Sequence, residues 1–414
     1  MFFPGHPAEV AEILTAARSN GLRVKMVGSG HSFTDIAVAN ELMLRPDRLV
    51  GIRSVDRDAM TVTVLSGTPL HVLNERLHTM GLALHNLGDI GQQTIAGAIS
   101  TGTHGTGGIW ASLSAQVAGL EIVTADAEVV ATSAGRDAEL FHAARVGLGA
   151  LGIITAVTLM VEPAFTLEAV EQPLRWDEAV DRYEQLVTQN HLLDMYWFPH
   201  TDAMLVKRNN RTVDKAQPLS SMRAWVDDEL LANAVFGEVN RLGNAFPRMV
   251  PWLNRVSARA MTGRSYSDAS HRVLTSSRRV VFKEMEYAIP REVGMTALAE
   301  VRELIERSSW AISFPVEIRC TPADDIWLST SSDRESVYLA FHVNEQTDHT
   351  PYFSAVEHLL RAYDGRPHWG KLHTRTAEDL APSYAHWGDF LRVRDRVDPQ
   401  RLFTNPYLDR VLGT

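Results

Sequence analysis

His31, at the end of a glycine turn, is the first residue of this chain whose surroundings suggest chemistry. It lies in Val27–Phe33, which reads VGSGHSF. The consecutive amides of Gly28, Ser29 and Gly30 can turn inward there and form a nest for an anion such as a pyrophosphate. No third glycine and no clean helix follow, so this is not the dinucleotide-binding fingerprint. Alone, the turn is weak evidence. Ala96–Gly108 (AGAISTGTHGTGG) is more informative. So little bulk lets backbone approach a ligand closely, and Thr101, Thr103 and Thr106 supply hydroxyls. The stretch reads as a flexible surface loop or as a cofactor cradle, and the dense Gly and Thr spacing favours the cradle at least as strongly. A third glycine-rich segment, Gly147–Gly152, lets a strand pass close to the same ligand.

Glu317 and Arg319 stand two apart in a strand and share one face, while Val316 and Ile318 point to a core. In an arbitrary strand such a pair is a solvated ion pair. The segment Gly365–His373 (GRPHWGKLH) gathers Arg366, His368, Lys371 and His373 around Trp369. Two histidines five apart do not match a helical metal pair and no acidic ligand is near, so no metal is expected. A cationic pocket that polarises a hydroxyl or holds an oxyanion fits better. His342, in Val337–Val343, reads on its own as a core or edge histidine. It is kept as a fourth catalytic candidate beside Glu317, Arg319 and Lys371.

The elements that must position these residues can be read from periodicity. Val10, Ile13, Leu14 and Ala17 repeat as one helix face after Pro7, and Gly21 ends the helix. Leu22, Val24 and Met26 alternate as a strand leading into the His31 turn. Ile52–Val55 and Thr61–Leu65 form a hairpin, and a helix after Pro69 turns Leu70, Leu73 and Leu77 inward. Strands at Val117–Thr124 and Glu128–Ala131, a helix over Ala138–Ala144 and a buried strand within Gly147–Val161 complete this half. Many short strands with few helices predict an α+β fold rather than a doubly wound sheet.

Beyond Glu162 the texture changes. Strand signals at Met195–Phe198, Val280–Tyr287, Val316–Cys320 and Val337–Val343 alternate with amphipathic helices over Arg291–Ser308 and Phe353–Tyr363. That rhythm predicts one antiparallel sheet with helices on one face. The stretch from Arg211 to Arg264 is the least legible. Its helical part, Leu230–Leu242, reads as a core-facing helix, with contact to a membrane surface as the lesser alternative.

At 414 residues, two domains are expected. A hydrophobic content of 45% and a charged content of 22% are those of a globular protein. The net charge of -10 disfavours a nucleic-acid groove and an anionic membrane partner. The single cysteine, Cys320, allows no intramolecular disulfide and fits a reducing compartment. There is no basic region followed by an apolar run at the start, and Val146–Val161 is too short and glycine-broken to span a bilayer. A cytoplasmic location is therefore expected, with membrane association left open and no integral membrane segment.

VGSGHSFTDIA followed by AGAISTGTHGTG resembles the vanillyl-alcohol-oxidase (PCMH-type) flavoproteins, in particular their aldonolactone oxidase and alditol oxidase branch. The likeness extends through NLGD (Asn86–Asp89), ARVGLGALGIIT (Ala144–Thr155), WFPHTD (Trp197–Asp202), MEYAIPRE (Met285–Glu292), PVEIR (Pro315–Arg319), GRPHWGK (Gly365–Lys371) and FTNPYL (Phe403–Leu408). Within the branch it is nearest to gulonolactone and arabinonolactone oxidases, with gulonolactone dehydrogenases of bacteria beside them. The resemblance implies an FAD carried covalently, its 8α-methyl bonded to His31. It implies that Gly28, Ser29, Gly30, Ser32, Ser100, Gly102, Thr103, His104, Gly107 and Ile153 line the flavin, with Gly88, Asp89, His368 and Asn405 counted beside them. Glu317, Arg319 and Lys371 would meet the substrate.

The family fold would place residues 1–165, completed by 376–414, in an FAD-binding domain of two small α/β subdomains. Residues 166–375 would form a substrate cap with an antiparallel sheet covered by helices. The chemistry implied is hydride transfer from a sugar-derived alcohol, a lactone or polyol, to flavin N5, with O2 or another electron acceptor completing the cycle. Arg319 and Lys371 would stabilise the developing alkoxide, and Glu317 would orient hydroxyls or hold Arg319.

Three departures shape the expectation. Members of the family usually carry further residues, including an edge strand, before the first helix, so either the start is internal or the FAD domain is clipped, with stability and the hold on the flavin at stake. Asp89 stands where alditol oxidases carry a substrate-contacting serine, which favours a lactone over a free polyol. Gly88 stands where related dehydrogenases of plants carry an alanine thought to block oxygen, which favours an oxidase.

Overall fold

The computed structural model describes residues 1–220, 246–276 and 280–414. The first helix, Pro7–Ser19, forms because Val10, Leu14 and Ala17 fall on one buried stripe and the His6 side chain accepts the Ala8 N–H at its start. It stops at Asn20 and Gly21, which takes φ +65°. Strand β1 (Val24–Met26) then pairs in parallel with β2 (Leu42–Leu44). β1 opens later than its alternation suggests because the Leu22 N–H closes the helix end on the Ala17 carbonyl. On the free edge of β2, Phe2 donates to Met43 O and accepts from Arg45 N, a short backbone bridge.

β3 (Ile52–Asp56) and β4 (Thr61–Leu65) form the expected hairpin. β5 (Leu82–Ala83) pairs with β9 (Glu162–Pro163). β6 (Val117–Val123), β7 (Val129–Ser133) and β8 (Ile153–Met160) join the hairpin in an antiparallel sheet of order β3-β4-β8-β6-β7. The Gly147–Gly152 turns let β8 enter between β4 and β6, since a Cβ on Gly152 would meet Val123 O at 2.8 Å. Helices Leu70–Thr79 and Ala138–Ala144 cover this sheet, and Leu70, Leu73 and Leu77 are buried as their spacing requires.

The segment Ala96–Gly108 is not loop throughout. Ile95–Ser100 is a helix, capped by Thr94 Oγ1 accepting the Gly97 N–H and anchored by buried Ile95, Ala98 and Ile99. Its Gly, Ser and Thr content hides it from propensity, and burial together with the cap supplies what propensity lacks.

The second half builds one antiparallel sheet of eight strands, β13-β10-β12-β11-β15-β16-β14-β17. These are β10 (Thr166–Arg175), β11 (Leu192–Trp197), β12 (Ala203–Thr212), β13 (Arg264–Ala269), β14 (Phe282–Pro290), β15 (Val316–Thr321), β16 (Ser336–Asn344) and β17 (Arg366–Pro367). Helices Trp176–Asp181, Tyr183–Gln189, Gly294–Arg307 and Thr350–Arg361 pack on one face, against Met195, Trp197, Val316, Ile318, Leu339, Phe341, Met285 and Tyr287. The helix read at Leu230–Leu242 lies outside the described residues. Among the described residues no helix is long and apolar enough to cross a membrane.

Two larger cores result. One gathers the five-stranded sheet, its helices and residues of the last helices, Trp387–Val397 and Pro406–Leu412. Into it the β15–β16 connection inserts Ile326, Trp327 and Leu328, and Trp369 joins them by donating from Nε1 to Leu328 O at 2.7 Å. The other lies between the eight-stranded sheet and its helices.

Candidate active site

The glycine turns converge on a cleft of about 890 Å³ in the first half of the molecule. Gly28, Ser29, Gly30, His31 and Ser32 line one wall, Thr94–Thr101 residues another, and Leu148, Gly149, Gly152, Ile153 and Ile154 a third. Backbone approaches are close here. A Cβ on Gly28 would lie 2.3 Å from Thr94 Oγ1, and Gly30 takes φ +73°. Lys25 also lines the cleft, donating to Gly149 O at 3.1 Å and Phe403 O at 3.2 Å. Burial, and then the Arg394 charge, lower its pKa to about 7. Ser66 Oγ lines the same cleft and is buried without a hydrogen-bond partner.

His31 marks the end of the cleft. Just beyond it, Phe33 N–H donates to Gly370 O at 2.7 Å and Thr34 Oγ1 to Trp369 O at 3.1 Å, tying the turn to the segment that carries Lys371. The Lys371 ammonium sits 5.3 Å over the Phe33 ring. His31 is exposed, yet partial desolvation and then the Lys371 charge lower its pKa, so the imidazole is neutral near pH 7.

The face of the eight-stranded sheet opposite its helices is charged, because strand alternation sends every second residue there. Glu284 and His342 are direct cross-strand partners on β14 and β16, and Glu317 pairs with Ala340 across β15 and β16. Lys371 contacts Glu284 directly and lies 3.9 Å from Glu286. His342 Nε2 is 3.3 Å from Glu284. Arg319 donates from Nε to Asp194 at 2.9 Å, and its Nη2 is 2.6 Å from Glu317 at ion-pair distance. His104 Nε2 meets Glu286 at 2.7 Å and Nδ1 meets Gly105 O at 2.9 Å, an arrangement that two N–H donors satisfy. Its ring stacks on Tyr338 at 3.6 Å.

Opposite charges decide the ionisation of this face. Burial alone would raise Glu284, but the Lys371 and His342 charges hold it well below the usual carboxylate range. Burial likewise opposes ionisation of Glu286, and the His104 charge with its hydrogen bond, followed by Lys371, overrides it. Asp194 is raised by burial even beside Arg319, and the carboxylates around Arg319 keep its guanidinium charged against its own burial. Burial lowers His368 to about 4, in keeping with Nδ1 accepting the Gly370 N–H at 3.0 Å. Two trios, His104 with Glu286 and His368 and Glu284 with Glu317 and His342, are each compact enough to hold a metal ion. Lys371 and Arg319 already supply positive charge to the same carboxylates, so the trios are balanced by side chains alone.

Of the residues singled out in the sequence, Gly28, Ser29, Gly30, His31, Ser32, Ser100 and Ile153 line the cleft. Glu317, Arg319, Lys371, His342, His104 and His368 gather instead on the charged face beyond His31. Gly88 packs on Thr103 and on His104 O at the border of that face. Asp89 accepts from Ser276 Oγ at 2.8 Å. Thr103 spends its hydroxyl on Gln93, and Gly107 donates to Cys320 O at 2.8 Å. Gly102, at φ +74°, turns the chain behind the cleft. Asn405 stands apart: Nδ2 donates to the carbonyls of Asp35, Ile36 and Val38, and Oδ1 caps the last helix. That side chain fixes the turn after His31 from below. Glu284, Glu286 and Asp194 were missed. For the two glutamates the signal was their spacing in Lys283–Glu286 (KEME), acids two apart that read as a solvated strand face until the sheet is assembled.

A cleft floored by glycine turns, ending at a histidine and continued by a sheet face of buried charges, is what the comparisons then meet. Residues 157–411 match the family described as D-arabinono-1,4-lactone oxidase, and residues 1–133 match an FAD binding domain. The chain belongs to the D-arabinono-1,4-lactone oxidase family. An L-gulono-1,4-lactone dehydrogenase of Mycobacterium tuberculosis is 40% identical over 99% of this chain and 95% of its own length. An L-gulonolactone oxidase of Bos taurus is 33% identical over 99% and 94%, and a D-arabinono-1,4-lactone oxidase of Eremothecium gossypii 27% identical over 97% and 90%. Cholesterol oxidase from Brevibacterium sterolicum superposes with a TM-score of 0.82 over 99% of this chain and 93% of its own, at 18% identity, a likeness of fold alone. FAD is thus the cofactor of this fold, and the family is one of flavin-dependent oxidoreductases.

Proposed function

We propose that this protein oxidises a hydroxyl-bearing carbon of an aldono-1,4-lactone, L-gulono- or D-arabinono-1,4-lactone, with FAD as the immediate electron acceptor. The observation that carries the reading is the meeting of cleft and charged face at His31, where Lys371 stands over Phe33. The cleft fits the cofactor. Gly28, packed against Thr94 with no side chain of its own, leaves bare backbone on the cleft wall, and Lys25 and the unpartnered Ser66 Oγ offer donors to the group. In this reading residues 1–165 with 376–414 hold the flavin, and 166–375 cap it.

When bound, FAD supplies a two-electron acceptor that takes the hydride of the substrate's C–H. The chain's own residues do the rest. Lys371 and Arg319, each fixed by carboxylates, present positive charge to the substrate oxygen as negative charge develops there. Glu317 holds Arg319, and His342, beside Glu284, faces the same space and can bind a further hydroxyl. Glu284, Glu286, Glu317 and His342 are themselves buried, so little bulk water reaches this face. His31, neutral and exposed at the cleft's end, is suited as the nucleophile for a covalent histidyl bond to the flavin.

Oxygen is the acceptor this reading favours, resting on the glycine at position 88, where a Cβ would meet Thr103 Cγ2 at 2.8 Å and His104 O at 3.2 Å. The relative from Mycobacterium tuberculosis, named a dehydrogenase, supports a second reading in which another acceptor takes the electrons. Bleaching of the flavin band near roughly 450 nm by each lactone without oxygen, beside xylitol and sorbitol, tests the substrate class. Reduction by the polyols and not by the lactones overturns it. Peroxide release under air, against reduction of an artificial acceptor, separates oxidase from dehydrogenase.

A further inference from the structure

Lys371 is one of only five lysines in the chain, with Lys25, Lys207, Lys215 and Lys283, against an arginine-rich remainder. Its surroundings are built by a single strand. Glu284 and Glu286 stand two apart on β14, so both carboxylates project from one face, and both side chains are more than nine-tenths buried. Glu284 touches the ammonium and Glu286 stands 3.9 Å from it. The same two residues also hold the backbone on either side of the lysine. His368 N–H donates to Glu286 O at 3.0 Å, and Leu372 N–H donates to Glu284 O at 2.9 Å. A lysine, ordinarily a flexible point charge, is therefore pinned by main chain and side chain to one strand.

We propose that Glu284 and Glu286 are positioning residues of the oxidation, which keep the Lys371 ammonium charged and aimed at the substrate oxygen. This rests on the reading that Lys371 meets the substrate. The other groups facing Lys371 are consistent with it. His342 and His104 share the two carboxylates from β16 and the cradle, and Glu317 adds a third acid from β15. His368 is kept neutral by burial, and His31 is neutral across Phe33. An ammonium between two buried carboxylates does not accept the hydroxyl proton. It acts as a fixed positive charge, which is what a developing alkoxide requires. Two carboxylates buried only to complete the packing would have no need of a lysine from another segment, since apolar residues of similar volume fill such space as well.

The test needs no substrate in its first arm. In protein labelled with 13C at lysine Cε, five resonances are expected, and Lys371→Met assigns the one of interest. Glu284→Gln should move the titration of Lys371 down by roughly one pH unit or more, Glu286→Gln should move it the same way by less, and Glu284→Asp should restore it. The second arm follows flavin reduction by L-gulono-1,4-lactone against pH. Glu284→Gln should add a loss of rate on the alkaline side that wild type lacks, and in a Lys371→Met background it should cost no more than about twofold further. Unchanged Lys371 titration in both glutamine variants, or a fully additive double variant, overturns the proposal. If Glu284→Gln does not fold, Glu286→Gln decides by the same readouts. If wild type reduces its flavin with no lactone, the functional reading fails, while the titration arm still decides whether the carboxylates hold the lysine charged.

Discussion

Arg319 and Lys371, proposed to meet the substrate, stand on the same charged face, each already gripped by a buried acid. Replacing either with alanine removes a positive charge where negative charge develops and leaves Glu317 with Asp194, or Glu284, unbalanced. Stopped-flow measurement without oxygen should show flavin reduction slowed by about two to three orders of magnitude for each. Reduction at the wild-type rate would remove both from the reaction. At His31 the prediction concerns attachment. Acid-precipitated wild type should keep its yellow colour in the pellet, and His31→Ala should release it to the supernatant while the folded variant still binds FAD. Colour retained by the variant would place the bond elsewhere. The histidine, the Glu-x-Arg pair and the lysine were legible because their segments are distinctive. Glu284, Glu286 and Asp194 were not, because an acid on a strand looks the same whether it faces water or a lysine.

The elements show the same division. Helices Pro7–Ser19 and Ala138–Ala144 follow from spacing and caps alone. Ile95–Ser100 does not, since its composition argues for loop and only its buried side and the Thr94 cap make it helical. That cap yields a prediction. Gly28→Ala would drive a methyl group into Thr94 Oγ1, dislodging the cap at a cost of about 1 kcal/mol or more and crowding the cleft. The purified variant should show a lower melting temperature and a flavin-to-protein ratio well below that of wild type. Unchanged values in both would mean that the close approach of these two segments is not needed. The charged face of the second sheet was half visible: alternation put Glu317 and Arg319 together, but register across β14, β15 and β16 decided which partners they would meet.

At the scale of the whole molecule, the buried histidines and Lys25 make stability rise with pH, against the smaller opposite effect of the burial-raised carboxyls of Asp194, Asp324 and Asp398. Burial holds His368 near 4 and His373 near 3, below the 6.5 of a free imidazole. As pH falls below 6.5 the unfolded chain takes up protons that the folded chain refuses, so stability falls. Glu284 and Glu286, depressed by their cations, add a further loss below 4.5. Lys25, lowered to about 7 from 10.5, makes stability rise as pH climbs through that window, because there the unfolded chain binds the extra proton. Urea midpoints at pH 5, 7 and 9 should therefore increase in that order. Equal midpoints at pH 5 and 7 would show that the two histidines are not kept neutral. Motif content was enough to identify the family and to single out the His31 turn, Arg319 and Lys371 as candidates, because glycine turns and strand pairs are local and leave a mark in adjacent residues. Which carboxylates answer those cations, and that the His31 turn and the Lys371 segment lie against each other, depend on strand register and on chain segments hundreds of residues apart. Only the packed sheet, where burial makes an unpaired charge too costly to keep, could decide them.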